Sequence, residues 1–254
     1  PNLTLAVIDE QHRFGVEQRE PLNSKGTTAP HLLVMTATPI PRTAAMTWFG
    51  DLDISALTEL PGGRRPIRTF VVPESNASLM SEMFALIRKR IDAGERAYVV
   101  CPRIDDDSEN ADDALAASAA SDSKTAGSPV PAFDEAYDLG EDDDQRAQRP
   151  PLHSVAEIVE RLQSLPQFEG IRFATLTGRD DDTTKSQVMA DFEAGITPIL
   201  VATTVIEVGV DVAKASCIVI FDADRYGLSQ LHQLRGRVGR GGTDSGAFLI
   251  SRAP

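Results

Sequence analysis

The sequence predicts an α/β protein built from parallel β-sheets flanked by helices. Short apolar runs alternate with segments in which apolar residues recur at helical spacing, a pattern typical of strand–helix–strand units. Most of the runs are almost continuously apolar, as in strands that are buried on both faces. The chain has 254 residues, of which 41% are hydrophobic, so it is long enough for one large or two medium domains with a sizeable core.

The first hundred residues predict four strands and two helices. The strands are expected at 3–8, 32–35, 67–72 and 97–101. A short helix is expected to begin at Pro41, whose missing N–H costs nothing in a first turn, and to end at Gly50. A longer helix carries apolar residues from Leu79 to Ile91 and stops at Gly94.

The same alternation resumes after residue 151. One helical apolar face runs from Val155 to Leu165, and another runs from Val188 to Phe192 and ends at Gly195. The remaining elements are expected as strands at 172–176, 199–203, 217–223 and 247–251 and a helix at about 229–238.

These patterns divide the chain near residues 73–76. Residues 1–75 have strands but too few helices to cover a parallel sheet, whereas residues 76–254 form an essentially complete α/β layer. The chain starts at Pro1, directly on an apolar run and without a basic leader, and we interpret it as a piece cut from a longer protein. No stretch approaches the roughly 18 consecutive apolar residues of a membrane span.

An acidic segment, residues 105–151, interrupts the second piece. Residues 105–149 carry a net charge of −11 out of −13 for the whole chain, and the segment has few large apolar residues. We expect it to be disordered, because it cannot bury enough surface to offset its ordering entropy. A tolerated surface-loop insertion is favoured over a docking tail for a basic partner. Since the rest of the chain is nearly neutral, a nucleic-acid partner is not excluded.

Cysteine and histidine usage argues against a metal or disulfide scaffold. The two cysteines, Cys101 and Cys217, lie in apolar runs and are expected to be buried free thiols in a reducing compartment. The four histidines show no metal-ligand spacing.

Two acidic residues follow the first predicted strand. Asp9 and Glu10 lie at its carboxyl end, where ligands of open α/β sheets bind. An Asp there can hold Mg²⁺ while phosphates complete the octahedron, and a neighbouring Glu can orient or deprotonate an attacking water. Thr36 and Thr38 follow the next strand and can hydrogen-bond the acidic turn. Taken singly, these residues also fit a solvated strand end and a turn or helix cap.

Two more clusters lie near the end of the chain. Arg235, Arg237 and Arg240 fall within two helical turns among glycines. A guanidinium is the side-chain group that binds a transferring phosphoryl group and stabilises its charge. Thr203 and Thr204 follow another buried strand and can contact phosphates of a nucleotide or a nucleic acid. A basic helix patch without a specific ligand and an ordinary strand-to-loop turn are the alternatives.

In order and placement, these clusters resemble the helicase core of the RecG family of DNA branch-migration enzymes. The similar blocks are residues 7–16 (Walker B, in its Asp-Glu-Gln-His form), 35–43 (motif III), 50–53, 59–61, 203–211 (motif V) and 228–240 (motif VI). The resemblance covers most of the chain outside residues 105–151.

The resemblance implies two RecA-like lobes, a partial first lobe and an essentially complete second lobe, with ATP and Mg²⁺ between them. Asp9 and Glu10 would be catalytic, Asp9 as the metal ligand, with Arg237 and Arg240 across the cleft, one of them as arginine finger. The implied nucleotide-binding residues are Asp9, Glu10, Gln11, His12, Gly209, Asp211, Gln233, Arg237 and Arg240. The implied coupling residues are Thr36, Ala37 and Thr38, and the implied DNA contacts are Thr203, Thr204 and Gly178.

The resemblance also implies a biological setting. The parent would be a monomeric, ATP-dependent helicase of the bacterial cytoplasm and nucleoid that remodels replication forks and recombination junctions in DNA repair. Its partners would be branched DNA, including Holliday junctions, and single-strand-binding protein or other repair proteins. The alternatives are the transcription–repair coupling translocase, which shares the Thr-Pro-Ile-Pro-Arg-Thr block, and a non-catalytic DNA- or protein-binding module. The Asp-Glu-Gln-His block favours the RecG side.

The sequence departs from the family pattern in four respects. No Gly-Lys dipeptide occurs, so the P-loop is expected upstream of Asp9 and the piece alone is expected to be inactive. Thr177 stands where the family usually has a histidine before Gly178, and residues 180–182 are all aspartate. The acidic segment is foreign to the core pattern.

Overall fold

A computed structural model describes residues 4–8, 31–35, 55, 57, 65–104, 151–203 and 212–252. The described elements fall into two compact units, one containing the first two strands and the other containing everything from the third strand onward. The predicted helix at 41–50 and the acidic segment lie outside the described residues, apart from Pro151.

The first unit contains a parallel pair of strands, β1 (Leu5–Ile8) and β2 (His31–Val34). The ladder pairs each residue of β1 with its counterpart in β2, so that both strands end level. Both strands were expected to be buried on both faces, and this is wrong for the described side chains: Leu5 and Val7 are each 54% exposed. In the described part of this sheet, each strand has one hydrogen-bonded neighbour.

The second unit is built on a six-stranded sheet with the order β3-β8-β7-β4-β6-β5. All of its strand pairs are parallel. The strands are β3 (Ile67–Pro73), β4 (Arg96–Val100), β5 (Phe173–Leu176), β6 (Ile199–Ala202), β7 (Ala215–Ile220) and β8 (Ser245–Ser251). Every residue of the central strands β4, β6 and β7 is buried, as their continuous apolar runs predict.

The predicted division near residue 75 is wrong for β3. This strand pairs with β8 along its whole length, from Ile67 opposite Ser245 to Pro73 opposite Ser251, and so belongs to the second sheet. The pairing joins segments almost 180 residues apart. Local composition around residue 75 carries no information about such a partner.

Four helices cover the two faces of this sheet: α1 (Ala77–Asp92), α2 (Val155–Gln163), α3 (Asp182–Ala194) and α4 (Leu228–Arg235). Short 3₁₀ helices lie at Pro166–Phe168 and Ala223–Arg225. Buried residues of α1 and α2, such as Phe84 and Ile158, share one core cluster with Val219. Phe192 of α3 and Leu234 of α4 belong to the cluster on the other face. The parallel α/β class predicted from the sequence is therefore confirmed.

Helix ends follow their local chemistry. Ser154 and Glu157 form a reciprocal capping box at the start of α2. Gly94 and Gly195, the predicted stops, both adopt left-handed backbone, with φ of 84° and 81°. The fourth helix was predicted to reach residue 238 but ends at Arg235, because the chain turns at Gly236.

The structure brings the two ends of the acidic segment together. Arg103, just after β4, and Ser154, just before α2, form an isolated parallel bridge. The Arg103 guanidinium donates to the carbonyl of Leu152 at 3.3 Å, and the Val155 N–H donates to the Arg103 carbonyl at 2.9 Å. The residues that flank the acidic segment are therefore neighbours in the fold.

The buried guanidinium of Arg96 caps the end of α3. Its Nε donates to the Phe192 carbonyl at 2.9 Å, which also accepts the Gly195 N–H, and its Nη2 donates to the Glu193 carbonyl at 3.4 Å, both in the last turn of the helix. A Cβ on Gly195 would lie 2.0 Å from that Nη2 atom. Gly195 is thus required both by its positive φ and by the space that the guanidinium occupies.

Gly195→Ala is expected to destabilise the second unit by about 3 kcal/mol, because strain in the left-handed region adds to displacement of a buried, hydrogen-bonded cation. Gly170→Ala is the matched control. Gly170 has a φ of 76° with nothing within 4 Å of its added Cβ, so only the strain of about 1 kcal/mol should appear. Urea unfolding of both variants measures the difference in the free energy of unfolding. Equal losses in the two variants would show that the Arg96 side chain can move aside without destabilising the protein.

Candidate functional site

The carboxyl ends of the six parallel strands share one edge of the second sheet, which we call the carboxyl edge. Ligands of open α/β sheets bind outside this edge. Two predicted DNA-contact residues, Thr203 and Gly178, follow β6 and β5, which are neighbours in the sheet. The Thr203 N–H donates to the Leu176 carbonyl at 3.2 Å, so the two loops start side by side. The structure therefore brings these two predicted residues to one place.

The aspartates at 180–182 have structural partners. The Asp180 carboxylate accepts hydrogen bonds from the backbone N–H of Thr177, at 2.6 Å, and from its hydroxyl, at 2.9 Å. Asp181 caps α3 by accepting from the Thr184 N–H at 2.7 Å, and this bond lowers the pKa of the carboxyl. The first two of these acidic residues thus build the turn around the exposed Gly178 and the helix that follows it.

The segment from Gln233 to Gly242, which we call the arginine segment, leaves the end of α4. Gln233 is half-buried within the helix, and the fully buried side chains of Leu234 and Val238 anchor the segment in the core. Arg237 is half-buried and Arg240 is exposed. The three arginines were expected within two helical turns, but only Arg235 is helical, so this expectation is wrong.

Glycines determine the path of the arginine segment after the helix. Gly239 has a φ of 80°, and its N–H donates to the Ala215 carbonyl of β7 at 3.3 Å. A Cβ on Gly241 would lie 2.1 Å from the carbonyl oxygen of Ala213. The backbone around Arg240 is therefore held tightly against the start of β7.

The other predicted site residues lie outside the described residues. These are Asp9, Glu10, Gln11, His12, Thr36, Ala37, Thr38, Thr204, Gly209 and Asp211. Asp9 directly follows β1, and β1 and β2 end level, so the chain leaves both strands at the same edge of their sheet. Adjacent aspartate and glutamate carboxylates are donors that suit Mg²⁺. In the described ranges, no group of three or more His, Cys, Asp or Glu residues could hold a metal ion.

Sequence reasoning missed a buried ionic cluster at the carboxyl edge. We call it the His153 cluster; its members are Glu74, His153, Arg161, Asp222 and Arg252. Glu74 directly follows β3, Arg252 directly follows β8, and Asp222 lies two residues after β7. A charged residue just past each apolar strand was the signal that could have revealed it.

His153 lies at the centre of the cluster and is 5% exposed. Its Nδ1 lies 3.0 Å from Asp222 Oδ2, and its Nε2 lies 3.1 Å from Glu74 Oε1. Its backbone N–H also donates to Asp222 Oδ2 at 2.7 Å. Arg161 Nη1 donates to Glu74 Oε1 at 2.6 Å, and Arg252 Nη2 donates to Asp222 Oδ1. Both carboxylates are therefore shared between the imidazole and a guanidinium.

These contacts fix the charge states of the cluster. Burial by itself would lower the pKa of His153, but its hydrogen bonds to Asp222 and Glu74 and the charges of these carboxylates raise it to about 9. The hydrogen bond from His153, aided by Arg161, lowers the pKa of Glu74 to about 2 in spite of burial. Burial also opposes ionisation of Asp222, yet the hydrogen bonds from His153 lower its pKa. At neutral pH the imidazole is a cation between two carboxylates.

Known proteins are similar to this chain along its whole length. Residues 152–242 match the family described as the helicase conserved C-terminal domain. Over 256 aligned residues, the chain is 42% identical to the ATP-dependent DNA helicase RecG of Mycobacterium tuberculosis, covering 100% of this chain and 30% of that relative. Over its whole length, the chain is thus similar to RecG-family DNA helicases. RecG of Bacillus subtilis is 39% identical over 250 residues, covering 98% of this chain and 30% of its own length. The chain thus spans about 30% of the length of these RecG relatives.

Solved structures are similar to the chain as well. A structure of RecG bound to a three-way DNA junction is 33% identical, with a TM-score of 0.61, and covers 98% of this chain and 26% of that one. S. cerevisiae Dbp5 bound to RNA and ADP BeF3 has a TM-score of 0.57 over 100% of this chain and 55% of its own, but at 13% identity it shares the fold alone. The six-stranded unit is therefore a RecA-like C-terminal helicase lobe. No helix in the described ranges has the length and apolarity that crossing a bilayer requires.

The His153 cluster predicts how stability depends on pH. The pKa of His153 rises from 6.5 to about 9 on folding, so its contribution is complete below pH 6.5 and is lost as the pH rises through about 9. The pKa of Glu74 falls from 4.5 to about 2, so its contribution is complete above pH 4.5 and is lost as the pH falls towards 2. The cluster should therefore contribute fully between about pH 4.5 and 6.5.

His153→Gln tests this dependence. Denaturant unfolding between pH 6 and 10 should show the wild type losing on the order of 3 kcal/mol relative to the variant, because folding raises the pKa of His153 from 6.5 to about 9. Parallel curves for the two proteins over this range would contradict the charge assignment of the cluster.

Proposed function

We propose that the protein carrying this chain is an ATP-dependent DNA helicase or translocase that remodels replication forks and recombination junctions by branch migration. The observation that supports this most is identity of about 40% to named ATP-dependent DNA helicases over the whole chain rather than over isolated motifs. The location of Thr203 and the turn at Gly178 at adjacent strand ends is consistent with a phosphate-binding edge.

In this proposal the residues before β3 contribute the end of the first RecA-like lobe, and the six-stranded unit, which includes β3, is the second lobe, with motifs IV to VI and the acidic segment as an insertion. ATP binds between the lobes. The nucleotide contacts from the second lobe are Gly209, Asp211, Gln233, Arg237 and Arg240, and those from the first are Asp9, Glu10, Gln11 and His12. Closure around ATP and opening after hydrolysis move the lobes along duplex DNA.

The chemistry follows from the residue types. Asp9 would hold Mg²⁺, which neutralises charge on the phosphates when bound. Glu10 would orient the attacking water or accept its proton. Arg237 or Arg240 would stabilise the charge that develops on the transferring phosphoryl group. Thr36, Ala37 and Thr38 would couple the acidic turn to DNA, which Thr203, Thr204 and the backbone at Gly178 would contact through phosphates.

The proposed partners are branched DNA, including forks and Holliday junctions, and single-strand-binding protein or other repair proteins in the bacterial nucleoid. The protein is proposed to act as a monomer in DNA repair and recombination. On their own, these 254 residues are proposed to hydrolyse little or no ATP, because no Gly-Lys dipeptide occurs among them to supply a P-loop lysine.

ATP turnover by the whole protein with different nucleic acids tests the proposal. Forked or three-way-junction DNA should stimulate turnover well above linear duplex DNA or RNA, and Glu10→Gln should abolish the stimulated rate while leaving DNA binding intact, because only the group acting on water is lost. The variant serves as the control for contaminating ATPases.

The other outcomes discriminate between activities. Equal stimulation by linear duplex would favour a transcription-coupled translocase over fork remodelling. Nucleotide binding without turnover on any nucleic acid would overturn the motor proposal in favour of a binding module.

A further inference from the structure

We propose that His153 is a positioning residue for ATP hydrolysis. Together with Asp222, it fixes the backbone turn that precedes α4, and through this helix it sets the position of the arginine segment. The inference rests on the proposed function, because it concerns how the proposed arginine finger is held. It assigns a role to a residue that lies outside every helicase motif recognised in the sequence.

The turn at Asp222 is held in an unusual conformation. Asp222 has φ 51° and ψ 42°, in the left-handed region, and is the only non-glycine residue with positive φ in the described ranges. It is also buried, with 2% of its surface exposed. A non-glycine residue persists there only when its surroundings over-determine the conformation.

The hydrogen bonds to the Asp222 carboxylate supply that constraint. Oδ2 receives the Nδ1–H and the backbone N–H of His153, at 3.0 and 2.7 Å, and Oδ1 receives Arg252. The His153 ring also contacts Phe221, the residue before the turn, with ring centroids 5.3 Å apart. Two of the three donors that hold the carboxylate therefore come from one residue, His153.

The turn leads directly to the arginine segment. The Arg225 N–H donates to the Asp222 carbonyl at 2.9 Å, closing the 3₁₀ turn Ala223–Arg225, and α4 begins three residues later at Leu228. Arg237 follows this helix at the next turn. Since α4 is only eight residues long, its direction depends on this turn at one end and on the buried side chains of Leu234 and Val238 at the other. In this proposal a change at Asp222 therefore alters the placement of Arg237.

His153 is surrounded by charges from four other elements. Glu74 follows β3, Asp222 follows β7, and Arg252 follows β8. From α2, Glu157 lies 3.8 Å from His153 Nε2, and Arg161 bonds the same Glu74 oxygen as the imidazole. Cys101, after β4, is buried, and its thiol pKa is raised by burial and by the nearby charges of Asp222 and Glu157. Acidic groups therefore face both ring nitrogens, and the doubly protonated imidazole is the form that satisfies them.

Loss of the imidazolium would leave Asp222 with Arg252 as its remaining side-chain donor. The strained turn could then relax and shift the arginine segment. A misplacement of about 1 Å in a group that acts in the transition state lowers kcat by about 100-fold, while ground-state binding of ATP changes little. The expected signature is a fall in kcat at an unchanged KM for ATP.

The test uses the whole protein with forked DNA. His153→Gln, which is neutral, should lower kcat about 10- to 100-fold with KM for ATP within about twofold. In the wild type, kcat should decline as the pH rises through about 9 while circular dichroism shows that the fold persists. His153→Lys keeps a cation at higher pH, since the ordinary lysine pKa is about 10.4, so it should retain more of kcat and move the decline to higher pH.

Gly195→Ala is the matched control for lost stability, because it is expected to destabilise the second unit about as much as His153→Gln does. Gly195 lies between α3 and β6, at the amino edge of the sheet, and this variant should keep the wild-type kcat and pH profile. Wild-type protein that hydrolyses no ATP with any DNA would overturn the proposed function itself. Wild-type turnover with unchanged kcat in His153→Gln, or an equal loss of kcat in Gly195→Ala, would overturn only the positioning role.

Discussion

The common direction of the six strands in the second sheet is the constraint on which the other features depend. Because every strand runs the same way, the chain leaves all of them at one edge. The turn at Gly178, Thr203, the His153 cluster and the ends of the acidic segment all meet there. Residues that are far apart in the sequence thereby become neighbours in the fold.

That edge combines two kinds of surface. At β5 and β6 it offers an exposed turn and a threonine at adjacent strand ends, which suits phosphates. At β3, β8 and β7 it is closed by ion pairs in which each charge has a partner of opposite sign. Burying such charges is tolerated only when they are fully paired and hydrogen-bonded, and the bridging imidazolium of His153 completes the pairing. The paired part would hold the fold steady while the open part binds ligands.

The sequence predicted the elements of the second unit well because their signals are local. Apolar runs mark β4, β6 and β7, and Gly94 and Gly195 end two helices because both adopt left-handed backbone. What could not be predicted depends on distant partners. The pairing of β3 with β8 joins the two ends of the unit, and the path of the arginine segment depends on contacts of Gly239 and Gly241 with residues 213–215.

The candidate site, too, was predictable only where its signals are local in the sequence. Motif resemblance located Thr203, Gly178 and the arginine segment, and the geometry shows why the aspartates that depart from the family pattern are tolerated: Asp180 closes the turn and Asp181 caps α3. His153 has no motif of its own, and its role becomes visible only when three strand ends are brought together. Sequence spacing cannot reveal a bond between residues 74, 153 and 222.

The central claim is that DNA binds this lobe at the carboxyl edge. Hydrogen–deuterium exchange on the whole protein tests it most directly, comparing free protein with protein bound to junction DNA. Slower exchange is expected at residues 176–180 and 203, because bound phosphates restrict opening of these loops. Slower exchange confined to the amino edge, at residues 94–97 and 243–245, with no change at the carboxyl edge, would contradict the account.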